Sequence, residues 1–167
     1  MSEKDIERYL KEESFGPIEA GFYDFQIETE FEDVRIVAWP EKCSIANPVV
    51  EFNKALRDVL MDSRRIERDL SRYLEITFAD VYAMDTRVEG WENWAWGPSE
   101  KPKLLSGKLA ERYFPILRIE DSAWRDVIFP EWNRDWMNMT THWRLISLTN
   151  CIDILARSAT GEWRKGN

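Results

Sequence analysis

IERDLSRYLEITFADVYAM, residues Ile66 to Met84, runs two structural signals together. Its first half continues an apolar stripe of Val49, Phe52, Leu56, Val59, Ile66, Leu70 and Tyr73. Those intervals of three, four or seven residues place the side chains on one face of an α-helix. Asn47-Pro48 opens the stripe as helices open, with a capping side chain and then a proline whose missing N–H costs nothing at the first helical position. Asp62-Ser63 interrupts it, so one long helix and two consecutive helices both satisfy the pattern. The second half, ITFADVYAM, is β-branched and aromatic and reads as a strand, although continuity with the stripe allows more helix.

Strand signals stand on either side. In FYDFQIETEF, Phe22 to Phe31, the residues Tyr23, Phe25, Ile27, Thr29 and Phe31 alternate with Asp24, Gln26, Glu28 and Glu30. A period of two with one apolar face is a half-buried strand. Glu32-Asp33 then turns the chain into VRIVAW, which ends at Pro40, giving an N-terminal hairpin. HWRLISLTNCIDILA, beginning at His142, predicts a C-terminal hairpin turning at Thr149-Asn150. ILRIE, from Ile116, is a short strand; Asp121 or Ser122 caps a short helix carrying Trp124 and Val127 and closed by Pro130. Ser2 caps another through Leu10, with Ile6, Tyr9 and Leu10 on one side. The expected fold is a single α+β domain over residues 1–167. Its antiparallel sheet, built from the N- and C-terminal hairpins, packs against a long or broken central helix, and residues 158–167 form a loose tail.

A chain of 167 residues, 44% hydrophobic and 13% aromatic, is large enough to bury a core without staples. No apolar run approaches the roughly 20 residues of a membrane span, and the charged start MSEKDIERYLKEE has no signal-peptide character. The expected location is cytoplasmic. Cys43 and Cys151 lack metal-ligand spacing and read as free, buried thiols. No cofactor is called for.

Net charge is −8, and residues 1–40 hold eleven acids against four bases. The remaining 127 residues are nearly balanced, with 20 acids and 19 bases. Nucleic acid is a poor partner for such a chain, because phosphate neutralisation needs a basic footprint; a protein with a basic surface is a better one. Asp24, Glu28 and Glu30 share one side of the first strand, with alternate residues about 6.6 to 6.8 Å apart. That row has three readings: an imitation of a phosphate backbone facing a basic partner, a face turned to water, or charge compensated by Arg64, Arg65, Arg68 and Arg72.

Catalytic signatures are weak. There is no glycine-rich phosphate loop, no nucleophile elbow and no His-Glu-x-x-His, and His142 is the only histidine. Cys151 and His142 should stand roughly 20 Å apart on a hairpin with a rise of about 3.3 Å per residue. Glu89 and Glu92 lie beside Trp91, Trp94 and Trp96 in EGWENWAWG, a combination of acids and indoles that glycosidases use. The three tryptophans either cap the core with Trp132, Trp136 and Trp143 or stand exposed as interface anchors. Two functions follow from these residues. One is a non-catalytic acidic binding protein of the immunity or inhibitor class, steered to a protein partner by Asp24, Glu28 and Glu30 and anchored by a tryptophan from residues 91–96. The other is a small-ligand or carbohydrate-acting protein with its site near residues 89–96. Open hairpin edges also allow a homodimer.

Overall fold

The computed structural model describes residues 8–43, 66–88, 115–129 and 134–166. Eight strands carry most of them: β1 (Arg8–Lys11), β2 (Phe22–Glu30), β3 (Asp33–Cys43), β4 (Ile66–Arg68), β5 (Arg72–Val88), β6 (Ile116–Glu120), β7 (Thr141–Ile146) and β8 (Asn150–Lys165). Among the described residues between β6 and β7 are two short helices, α1 (Ala123–Ile128) and α2 (Arg134–Met139). The fold is sheet-dominated, which corrects the expected α+β arrangement with a long central helix.

The correction turns on three residues. Ser71 donates both its backbone N–H and its hydroxyl to Asp69 Oδ1, at 3.0 and 2.7 Å. This local Asx-type turn bends the chain from β4 into β5 where a helix would have to continue. Ile66 and Leu70, counted toward the helical stripe, are exposed. From Arg72 the backbone is extended for 17 residues. Leu74, Ile76 and Phe78 are fully buried on one side while Glu75, Thr77 and Ala79 take the other, so a period of two replaces the apparent period of 3.6. The stripe's earlier members, Val49 to Val59, lie outside the described residues.

All strand pairings are antiparallel, in the order β1-β6-β7-β8-β5-β3-β2, with β4 on the end of β3. The sheet curls until its edge strand reaches the β7–β8 turn. There Leu148 N–H donates to Phe22 O at 3.0 Å, and Phe22 and Ser147 form a parallel bridge. Inside the curl lies the core of Phe22, Phe25, Ile36, Leu74, Ile76, Phe78, Trp143, Leu145, Ile152 and Ile154. Phe15, from the segment joining β1 to β2, packs across it and over Gly161.

The N-terminal hairpin forms as expected, with its turn at Phe31-Glu32, one residue earlier than read from the sequence. A bulge at Tyr23 brings Phe22 and Phe25 into the core. Burial then fades: Ile27 is half-buried, Thr29 is exposed, and Phe31 stands clear of the protein. The C-terminal hairpin also forms, turning at Leu148-Thr149 and not at Thr149-Asn150, as does the ILRIE strand, and Ser122 caps α1 by accepting from Arg125 N–H at 3.0 Å. Two further expectations change. Arg8–Lys11, read as the end of a helix, pairs with β6. Residues 158–165, read as a loose tail, complete β8 and pair along β5 as far as Arg72↔Lys165.

Candidate functional site

Asp24, Glu28 and Glu30 do share the outer face of β2, but the first two are paired within the chain. Arg68 holds Asp24, and Arg35 bridges Glu28 and Glu75. Glu75 also meets Arg164 at 3.5 Å, and Arg72 lies 3.4 Å from Glu19. The guanidinium of Arg35 holds the Glu75 carboxyl below its usual range. Of the arginines expected to compensate the row, Arg68 does so, Arg72 meets Glu19 instead, and Arg64 and Arg65 lie outside the described residues; Arg35, directly opposite Glu28 in the ladder, was not foreseen. Between these pairs, Trp39 and Tyr73 stand 4.9 Å apart, and Trp39 Nε1 donates to Gln26 Oε1 at 3.3 Å. They line a shallow groove of about 400 Å³.

Glu30 belongs to a different surface, the hairpin tip. With Glu32, Asp33 and Asp80 it surrounds an open depression of about 630 Å³ from which Phe31 projects, 102% exposed. The tip is fixed to β5: Val81 N–H donates to Glu32 O at 2.7 Å and Asp80 N–H to Asp33 Oδ1 at 3.2 Å. Arg157 approaches Asp80 at 3.6 Å. Phe31 has a φ of 54° and Asp80 one of 52°. In that left-handed region a bulky side chain is uncommon and strained by roughly 1–2 kcal/mol. The strand alternation that assigned Phe31 to the buried face gave no hint of this role. Trp91, Trp94, Trp96, Glu89 and Glu92 lie outside the described residues.

A second constellation came from no sequence reading. On the face of β6–β7–β8 opposite the core cluster, His142 is 1% exposed, Asp153 2% and Ser122 0%. Asp153 Oδ1 lies 2.9 Å from His142 Nε2 and 2.7 Å from Arg144 Nε, and Oδ2 lies 3.1 Å from Arg144 Nη2. Arg87 approaches Oδ2 at 3.6 Å. Burial opposes ionisation of Asp153, but the His142 hydrogen bond and the Arg144 charge outweigh it and hold the carboxyl below its usual range. The ionised carboxylate only accepts, so His142 Nε2 carries the proton; in the neutral ring Nδ1 then accepts from the Ser122 hydroxyl at 2.7 Å.

The residue types are those of a hydrolase triad, but the arrangement differs. In serine hydrolases the hydroxyl meets Nε2 and the carboxylate meets Nδ1; here both contacts are exchanged. Ser122 Oγ is also committed to the α1 cap and is sealed from solvent. The cluster acts as a polar lock that joins β7, β8 and the start of α1. Cys151 stands opposite Ile146, remote from His142 in the ladder, and burial with Asp153 nearby pushes its thiol up to about 12.

No helix among the described residues is long and apolar enough to cross a membrane. Compared with protein-family models, with curated proteins and with solved structures, the chain matches none.

Proposed function

We propose that this chain is a non-catalytic, acidic binding protein of the cytoplasm that engages a protein partner with a basic surface, in the manner of immunity proteins and inhibitors. The observation that carries the reading is Phe31: a fully exposed phenyl ring in a strained backbone conformation, ringed by Glu30, Glu32, Asp33 and Asp80. Among the described residues nothing packs against that ring. An aromatic anchor inside a charged rim is the composition of an interface hot spot, with the ring supplying affinity and the rim supplying selectivity and on-rate. Internal pairing of Asp24 and Glu28 removes them from the steering role and shifts it to the tip, with Glu30 as the shared member. The same carboxylates repel phosphate, so nucleic acid remains a poor partner.

The test places p-benzoyl-phenylalanine at position 31 in the native host and irradiates the cells. The expected result is one discrete crosslinked protein with a basic surface, lost when Glu30, Glu32 and Asp33 are all changed to lysine. No crosslink above that of a probe at Thr160, or a crosslink indifferent to the charge reversal, overturns the reading.

A further inference from the structure

Neither short helix buries any of its residues. Beside them, the β5 bulge leaves Tyr82 out of the ladder, since Val81 pairs with Ala156 and Ala83 with Leu155. The Tyr82 ring meets Phe129 at 5.3 Å and Trp136 at 5.5 Å, both edge to face. On the two short helices next to these rings, Val127 is 80% exposed, and Ile128, Trp136 and Met139 are exposed as well. Scattered apolar side chains on a surface need no explanation, but a contiguous group built on aromatics marks an interaction site.

The shelf is continuous with the acidic tip. Asp80 lies two residues before Tyr82, and Glu32 O accepts the N–H of Val81, Tyr82's immediate neighbour. Arg157 lies 3.6 Å from Asp80 and compensates it, so the rim's charge toward a partner rests on Glu30 and Glu32. We infer that the shelf and the rim form one amphipathic seat for a basic amphipathic segment of the partner. Its apolar side chains would lie on Trp136, Ile128 and Val127, and its lysines or arginines would reach Glu32 and Glu30. The inference rests on the reading of the tip as the contact with a basic partner. Charge selects this occupant over the others: anionic lipid headgroups would meet carboxylates, and a second copy of a chain with net charge −8 would bring more of them.

The probe is a synthetic amphipathic helix of leucine and lysine, long enough (about 18 residues) to hold its helix, titrated against the whole protein by calorimetry. Wild type should bind it in a salt-dependent manner. Trp136→Ala and Val127→Ser should each weaken binding about tenfold, while Thr160→Ala, on the exposed part of β8, leaves it within about twofold. Val127→Ser tests the idea even if Trp136→Ala fails to fold. Peptide binding unchanged by Val127→Ser overturns the inference, as does equal binding of a leucine–glutamate helix or self-association that Val127→Ser abolishes. If the residue 31 crosslink persists when the shelf variants have no effect, the shelf assignment alone falls. If that crosslink is absent, the partner reading falls first and the shelf assignment with it.

Discussion

His142 Nε2 lies 2.9 Å from Asp153 Oδ1 in a part of the sheet closed to solvent, although the two residues sit on neighbouring strands and are offset from direct pairing. A buried carboxylate there is tolerable only because His142 and Arg144 saturate it. Asp153→Ala leaves the 6%-exposed Arg144 without its main counter-charge. The expected loss is about 3–5 kcal/mol, read as a fall in the urea midpoint. His142→Ala should cost about 1–3 kcal/mol. A loss below about 1 kcal/mol in both variants refutes the lock.

The same carboxylate sets an acid limit on stability. Its folded pKa is lowered relative to the unfolded chain, so the unfolded state binds more protons as pH falls. The stabilisation is fully present above the unfolded value of about 3.9 and is lost as pH drops through the lower folded value. Glu12 is also lowered: burial opposes it, but bonds from Ser14 and from Trp143 Nε1 prevail, and it adds to the slope. Denaturant midpoints should fall as pH drops below about 4. Asp153→Asn should show a shallower fall, and an unchanged slope removes Asp153 from the account.

Phe15 rests on Gly161 of β8. A Cβ there would come within 2.6 Å of the Phe15 ring and 2.9 Å of its Cβ. Gly161→Ala should therefore destabilise the protein by about 1–3 kcal/mol through overpacking, even though alanine is the better strand residue on entropy alone. Phe15→Leu in the same background should recover part of the loss. A thermal midpoint equal to wild type in Gly161→Ala contradicts the packing described.

Phe31 separates folding from binding. Asparagine tolerates the positive φ that phenylalanine resists, so Phe31→Asn should equal wild type or exceed it by up to about 1 kcal/mol. It should nonetheless lose partner capture in the host. Greater stability with full capture would mean that the ring is incidental.

Cys151 offers a direct check on the sealed face. A thiol 2% exposed, with its ionisation pushed up to about 12, should resist alkylation in the native state and react at once in denaturant. Rapid native labelling would show that this side of the sheet opens.

The N-terminal hairpin was readable because it buries one face, which imposes alternation on Phe25 to Glu30; the C-terminal hairpin, buried on both faces, was readable from its turn residues, one position off. Ser122 was readable as a cap. The central helix misled because Ile66, Leu70 and Tyr73 fall at helical spacing by coincidence; the Asp69-Leu70-Ser71 turn was the available signal against it. The acidic row was visible, but its neutralisation depends on register. Once the turn is fixed at Phe31-Glu32, Glu28 must face Arg35, and a one-residue error in the turn hides that pair. The His142–Asp153 contact joins residues whose relation only the β7–β8 ladder creates, and no spacing in the sequence announces it.

A chain so rich in strands risks joining its neighbours edge to edge into insoluble fibrils. At one end of this sheet stands β1, only four residues long. At the other, the start of β2 is stitched to Leu148, and the remainder carries Glu28 and Glu30. Among the described residues, these short, stitched and charged borders leave little template for edge-to-edge recruitment.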